Sequence, residues 1–148
     1  MRYIRYTLDD ESPRWGRVEG QTIFELSGPP YAGGRETGVT VTLEHVELLA
    51  PVEPSKIVCV GRNYAEHAKE RGSEIPKEPM LFFKAPSALI GHGECIVIPY
   101  PEHTIHWEAE LAVVIGKRAR RVPEAEAMNY VFGYTIANDV SDRTLQKA

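Results

Sequence analysis

Short apolar runs, and one segment of alternating apolar and polar positions, recur along the chain and predict many strands with few helices. Three strands are predicted near the start of the chain, over residues 2–8, 15–18 and 22–26. Gly20 lies between the last two and indicates a hairpin turn. Residues 39–49 are compatible with either a strand or a helix.

The rest of the chain shows further strand patterns separated by short helical segments. Strands are predicted over residues 56–60, 80–84, 95–99, 107–115 and 134–140. Helices are predicted over 64–71 after Asn63 as a cap, from Pro123 to near Gly133, and after Ser141 as a cap. The intervening segment 72–79 contains glycine, serine and two prolines, which favours a loop.

A change of composition between these two parts indicates a domain boundary. Pro51 and Pro54 restrict the backbone and neither of them continues a strand ladder. We therefore predict a small N-terminal β domain over residues 1–52 and a second domain over residues 53–148.

The strand pattern over 107–115 places two carboxylates on one face. Glu108 and Glu110 share this face with Ala112 and Val114, because successive side chains of a strand point to opposite sides. Two like charges beside apolar neighbours repel each other and are poorly solvated. A hard cation such as Mg²⁺, Mn²⁺ or Ca²⁺ relieves both problems. The alternative is an edge strand whose glutamates face water.

Three further sets of residues are candidates for chemistry. Asp139 is an unexpected acid near the end of the apolar pattern 134–140, although, taken alone, it is better explained by an Asx turn. His67 and Glu70 are three residues apart on a predicted helix, the spacing of an oriented general base or of an ordinary surface pair. His103 and His106, with Glu108, form a competing set for Zn²⁺ or Fe²⁺, but their spacing is not a standard zinc signature and favours loop histidines.

Composition narrows the class of protein. The 148 residues include 17 Lys and Arg against 21 Asp and Glu, a net charge of −4 that does not favour nucleic-acid binding, and the basic run over 117–121 is interpreted as a solvated loop. Apolar segments are too short for a membrane span, and the N-terminus does not resemble a signal peptide. Cys59 and Cys95 lie in apolar runs and are predicted to be buried free thiols of a cytoplasmic protein.

Several ordered motifs resemble the fumarylacetoacetate hydrolase family. They are Val60-Gly61-Arg62-Asn63-Tyr64 with His67 and Glu70, residues 79–84, residues 107–116, Gly133-Tyr134-Thr135, and residues 138–146. The N-terminal part resembles the small extra domain of members of the 2-hydroxyhepta-2,4-diene-1,7-dioate isomerase and 5-carboxymethyl-2-oxo-hex-3-ene-1,7-dioate decarboxylase type. One local difference is that many members read Ala-Arg-Asp where this chain reads Asp142-Arg143-Thr144.

The resemblance implies a mixed β fold with few helices, a β-roll that residues 53–148 begin but do not complete. It implies one Mg²⁺ or Mn²⁺ per subunit, a homodimer, and a His–Glu dyad with a lid over residues 72–79. The implied metal ligands are Glu108, Glu110 and Asp139, and the implied dyad is His67 and Glu70. The implied substrate contacts are Arg62, Tyr64, Lys84 and Gln146.

The function that follows from the resemblance is a metal-dependent enzyme of aromatic catabolism. It is expected to act on 2-oxo or 2-hydroxydienoic dicarboxylic acids through a metal-stabilised enolate, as an isomerase or decarboxylase. The alternatives are an acylpyruvate hydrolase, an oxaloacetate decarboxylase, or a non-catalytic metal-binding module.

Overall fold

The structure is a computed structural model, and it describes residues 1–9, 12–70, 72, 74 and 76–148. Within these ranges the side chains of His67, Ala68 and Glu70 are not described. In the described part, no helix is long and apolar enough to cross a membrane.

Five antiparallel strands form the N-terminal sheet, in the order β4-β3-β2-β1-β5. They are β1 (Arg2–Thr7), β2 (Arg14–Glu19), β3 (Thr22–Leu26), β4 (Glu36–Thr42) and β5 (Glu47–Leu49). The hairpin predicted at Gly20 is confirmed, and this glycine takes a φ of 59° that suits a tight turn. The ambiguous segment 39–49 divides into the end of β4, a 3₁₀ turn over Leu43–His45, and β5.

The core of this sheet is built on two fully buried side chains, Tyr6 and Ile23. Val18 packs with them, and Ile4 and Val41 cover the cluster. This core is small, so the N-terminal sheet gains its stability from few buried side chains.

The second part of the chain consists of short paired strands and two helices. The strands are β6 (Ile57–Gly61), β7 (Met80–Lys84), β8 (Ile105–His106), β9 (Ala109–Ile115), β10 (Val131–Asn138) and β11 (Ser141–Asp142). The helices are α1 (Ala65–Glu70) and α2 (Arg143–Gln146), with 3₁₀ turns over Pro86–Ala88 and Glu124–Tyr130. All three pairs are antiparallel: β6 with β7, β8 with β11, and β9 with β10.

Three predictions of local structure are wrong. Residues 95–99 form no strand and pair with none in the described part of the chain, so an apolar run alone did not make a ladder. The helix predicted after Pro123 is a 3₁₀ turn that ends at Tyr130, and Gly133 lies inside β10. The cap of the last helix is Asp142 and not Ser141, because the Asp142 carboxylate accepts hydrogen bonds from the first free amides of α2.

The expectation of two buried thiols is half wrong. Both cysteines are free, but only Cys59, on β6, is partly buried, and Cys95 is exposed. Cys95 belongs to the unpaired segment 95–99, whose apolar side chains are exposed as well: Val97 is 83% exposed.

An aromatic cluster joins the N-terminal sheet to β10. Phe132 forms a β-bulge between β10 and β9, and its ring contacts Tyr3 and Tyr31 at centroid distances of 5.6 and 5.8 Å. Tyr31 in turn packs edge-on against Trp15 at 5.5 Å. The bulge therefore directs one side chain of β10 toward the first sheet.

Candidate functional site

The pairing of β9 with β10 brings the three predicted metal ligands to one face. Glu110 lies opposite Ala137, and Asn138 opposite Ala109. One residue beyond the assigned strands the register continues, because the amide of Asp139 donates to the carbonyl of Glu108 at 2.8 Å. Directly opposed residues share a face, as do residues two apart on one strand. Glu108, Glu110 and Asp139 therefore project on the same side.

This acidic face is the more buried face of the strand pair. Glu110, Ala112 and Val114 are half-buried, whereas Leu111 and Ile115, on the opposite face, are 62% and 58% exposed. The alternative of glutamates facing open water is therefore not what the fold provides. Removing acids from water without a counter-charge is costly, so this face requires cationic or hydrogen-bonding partners.

Each of the three carboxylates has one such partner, and each partner comes from a different element. Arg143, on α2, forms an ion pair with Oε1 of Glu108. Asn63 Nδ2, between β6 and α1, donates to Oε2 of Glu110 at 3.3 Å.

Lys84, at the end of β7, is the partner of Asp139. Its Nζ forms an ion pair with Oδ1 of Asp139 and donates to the carbonyl of Val140 at 2.8 Å. Oδ1 of Asp139 is buried, and Lys84 contacts it without the geometry of a hydrogen bond. This oxygen is therefore the one through which Asp139 is paired with the ammonium of Lys84.

The residue types on this face fit a hard divalent cation. Glu108, Glu110 and Asp139 supply only oxygen donors, which Mg²⁺ and Mn²⁺ prefer. With the side chains as they are placed, no three His, Cys, Asp or Glu residues of the described part approach closely enough to hold an ion. The three acids therefore share a face and a backbone register. The side chains of Glu108 and Asp139 contact Arg143 and Lys84 respectively.

The predicted dyad lies on α1, which follows β6 directly. The helix extends over Ala65–Glu70 and so includes both His67 and Glu70 at the predicted spacing. The two side chains lie outside the described part, so the dyad stays a prediction. The predicted lid, residues 72–79, includes positions that are not described either.

The four predicted substrate contacts do not form one cluster. Arg62 is exposed and takes a positive φ of 53° directly after β6. The hydroxyl of Tyr64 accepts a hydrogen bond from the amide of Leu111 at 3.3 Å, which ties α1 to β9. Lys84 contacts Asp139, so its described role is toward a predicted metal ligand.

Gln146 lies between two clefts beside α2. The larger, about 600 Å³, is also lined by Thr104, His106 and Arg143, and the smaller, about 400 Å³, by Phe83 and Lys84. Gln146, the last residue of α2, therefore lines both clefts, and Lys84 lines only the smaller one.

The competing histidine set does not assemble. His103 Nδ1 lies 2.6 Å from Oδ2 of Asp142, whereas Nδ1 of His106 accepts from Arg143 Nε at 3.3 Å. The two imidazoles therefore serve separate contacts. The ring of His103 also stacks on Tyr100 at 4.8 Å.

Asp142 is a structural residue beside the site whose role was not predicted from the sequence. Its Oδ1 accepts from the amides of Thr144 and Leu145 at 2.9 and 3.0 Å. Partial burial raises the pKa of its carboxyl, but the hydrogen bonds from His103 and from those two amides outweigh this, so the pKa lies below its ordinary value of 3.8. The acid found here instead of alanine thus caps α2. The sequence feature that indicates this cap is Asp142 directly before Arg143 and Thr144, because an aspartate is a typical residue at the start of a helix.

Cys59 on β6 lies close enough to the acidic face to be affected by it. Burial raises the pKa of its thiol, and the charges of Asp139 and Glu110 raise it further, while Lys84 opposes them. The thiol is therefore protonated at neutral pH and is a poor nucleophile.

Comparison with known proteins assigns the fold and site to a family. Residues 56–148 match the family Fumarylacetoacetate (FAA) hydrolase C-terminal, and residues 1–51 match Rv2993c-like, N-terminal. The chain belongs to the fumarylacetoacetate hydrolase family, which confirms the resemblance seen in the motifs.

Three similar proteins illustrate what members of this family do. A crystal structure of 5-carboxymethyl-2-hydroxymuconate delta-isomerase from Mycobacterium smegmatis is 36% identical with a TM-score of 0.88, covering 99% of this chain and 58% of that one. Oxaloacetate tautomerase FAHD1, mitochondrial, from Arabidopsis thaliana is 54% identical over 92 residues, 62% of this chain and 41% of that protein. Maleylpyruvate hydrolase from Sphingobium sp. SYK-6, in complex with manganese(II) and pyruvate, is 26% identical with a TM-score of 0.73. The match covers 97% of this chain and 60% of that one.

The similarity confirms a mostly β fold with two helices of the type found in this family. The chain spans about half the length of the curated relatives it matches, at 52% and 50% of two of them. The named relatives are enzymes: an isomerase, a tautomerase and a hydrolase.

Proposed function

We propose that the protein is a divalent-metal-dependent enzyme that isomerises 2-oxo or 2-hydroxydienoic dicarboxylic acids, with decarboxylation of such acids as a related reaction. The observation that carries the proposal is the β9–β10 register, which places Glu108, Glu110 and Asp139 on one half-buried face. Two relatives named as an isomerase and a tautomerase support the reaction class.

The metal in this proposal is Mg²⁺ or Mn²⁺, held by Glu108, Glu110 and Asp139. A manganese complex in one similar structure supports the choice of ion. When bound, such an ion supplies Lewis-acid stabilisation of the negative charge that develops on a substrate oxygen.

The proton transfer itself is assigned to His67, with Glu70 fixing its orientation from the next turn of α1. In a keto–enol isomerisation His67 removes a proton from the carbon beside the oxo group, and a proton is returned to the oxygen. The substrate therefore gains and loses one proton, and no co-reactant is required. Arg62, exposed after β6, and Gln146, the last residue of α2, are proposed to hold the carboxylates of the substrate.

A second candidate is oxaloacetate tautomerisation, which the 54% identity to a relative of that name favours. Both candidates move a proton between carbon and oxygen of a 2-oxo acid, and they differ in the length of the substrate. Acylpyruvate hydrolysis and oxaloacetate decarboxylation stay predictions of the sequence, as do the boundary at residue 52, the homodimer and the cytoplasmic location.

The test is a spectrophotometric assay of enol consumption with the full-length protein. Oxaloacetate and 5-carboxymethyl-2-hydroxymuconate are supplied with Mn²⁺, after removal of metal by a chelator, and after Mn²⁺ is restored. We expect turnover of at least one substrate that disappears with the chelator and returns with the ion. Mn²⁺ binding without turnover of either acid would instead favour a non-catalytic metal-binding module.

A further inference from the structure

Each of the three nitrogens of the Arg143 guanidinium contacts a different side chain around the acidic face. One terminal nitrogen pairs with Oε1 of Glu108, and the other donates to Oε1 of Gln146 at 2.8 Å. Its Nε donates to Nδ1 of His106 at 3.3 Å. With only 15% of the side chain exposed, the group is held in one place.

The backbone of Arg143 is fixed as well. Its amide donates to the carbonyl of Thr104 at 2.8 Å, and it is the first residue of α2. Asp142, the cap of that helix, is paired with His103 at 2.6 Å. Arg143 is therefore anchored from the segment that precedes β9 and from the helix that follows β10.

We propose that Arg143 is a positioning residue for the metal centre, holding Glu108 through one carboxylate oxygen so that the other is presented to the ion. Asn63 acts in the same way on Glu110, and Lys84 on Asp139. The inference rests on the proposed metal-dependent function and adds the residues that orient its ligands.

The physical basis of this positioning role is that a carboxylate has two oxygens, so that one can hold an orienting partner while the other binds an ion. In the described part of the chain, one oxygen of each acid has a partner: Oε1 of Glu108, Oε2 of Glu110 and Oδ1 of Asp139. A carboxylate held at one oxygen still pivots to bring its other oxygen to an ion, but it loses most of its other rotamers. Restricting the ligands before the ion arrives reduces the entropy lost on binding.

An opposite effect competes with this one, since a guanidinium repels a dication. The two effects are separated by Arg143→Lys, which keeps the positive charge but cannot bond three side chains in a fixed fork. If orientation dominates, this variant binds Mn²⁺ more weakly. If charge repulsion dominates, its affinity does not fall.

The experiment is calorimetric titration of the full-length protein with Mn²⁺, supported by the electron paramagnetic resonance spectrum of the bound ion. We expect Arg143→Lys to weaken binding by about 10- to 100-fold, the usual effect of losing an outer partner, and to broaden the spectrum. Arg17→Lys is the matched control: Arg17 pairs with Glu19 and Glu36 in the N-terminal sheet, and its loss should leave Mn²⁺ affinity unchanged.

Asn63→Ala provides a second variant at an exposed position, which keeps the proposal testable if Arg143→Lys unfolds. We expect it to weaken Mn²⁺ binding without changing the thermal midpoint. Unchanged or tighter binding in both folded variants would overturn the positioning role while the metal site stands. Absence of Mn²⁺ binding by the unmodified protein would overturn the proposed function itself.

Discussion

Asp139 and Glu108 face each other across the antiparallel pair β9–β10, where the amide of Asp139 donates to the carbonyl of Glu108 at 2.8 Å. This single backbone bond continues the ladder one residue beyond both strands. It places two acids from distant parts of the chain at the shortest cross-strand separation, about 4.5–5.5 Å between Cβ atoms. A one-residue slip would move one of them to the exposed face.

The acids of this face are expected to be required for metal binding. Glu108→Gln and Asp139→Asn each remove a negative oxygen donor with little change of shape. Both should weaken Mn²⁺ binding by more than the roughly 10- to 100-fold typical of outer partners, measured by calorimetric titration. Glu124→Gln, on the exposed 3₁₀ turn before β10, serves as the control and should bind as the unmodified protein does. A residue whose variant retains full affinity is not a ligand.

His67→Ala should separate catalysis from metal binding. A general base typically contributes about 10²- to 10⁴-fold in rate, so kcat is expected to fall by that factor. The Kd for Mn²⁺ should stay close to that of the unmodified protein, because His67 is not among the acids of the β9–β10 face. The measurement pairs turnover with titration of the same preparation. If affinity collapses together with kcat, His67 is a ligand and the dyad assignment is wrong.

The sequence predicts the acidic face well because a strand's period of two is a local property. Glu108 and Glu110 are placed together by the chain itself, and only the register was needed to add Asp139. It does not predict which face is buried: the face rich in Leu111 and Ile115 is the exposed one. Burial is decided by what packs on each side of the strand pair, and the hydropathy of one strand does not settle that.

The partners of the acids could not be predicted for a similar reason. Arg143 reaches Glu108 from 35 residues away along the chain, and Asn63 reaches Glu110 from 47 residues away. Asn63 fits a helix cap when it is considered with its sequence neighbours alone, and the family resemblance implies only a substrate contact for Lys84. Their observed contacts depend on how β6, β7 and α2 pack around the strand pair, which no local pattern encodes.

Gly116→Ala is expected to destabilise the joint between the two parts of the chain. A Cβ at Gly116 would lie 2.7 Å from the Cβ of Phe132, the bulge residue that contacts Tyr3 and Tyr31. Overpacking of this kind costs about 1–3 kcal/mol, which should appear as a lower free energy of unfolding in urea.

Gly133→Ala is the matched control for that substitution, because it lies on the same strand pair and a Cβ there meets nothing within 4 Å. Its effect should stay within about 0.5–1 kcal/mol, the ordinary cost or gain of a strand glycine change. Equal effects of the two substitutions would mean that the contact with Phe132 relaxes freely and does not rigidify the joint.

The contact between Asp142 and His103 is expected to make the free energy of unfolding depend on pH in the acidic range. The pKa of Asp142 is lower in the folded protein than its ordinary value of 3.8, so the folded state favours the carboxylate. Its contribution to stability is therefore complete above that ordinary value and is lost as the pH falls through the lowered pKa.

Asp142→Asn retains a side chain that caps α2 but does not titrate. The unfolding free energy of the unmodified protein should fall more steeply between about pH 5 and about pH 2 than that of the variant. The measurement is urea unfolding across that range, and identical slopes for the two proteins would show that Asp142 is not a source of the acid sensitivity.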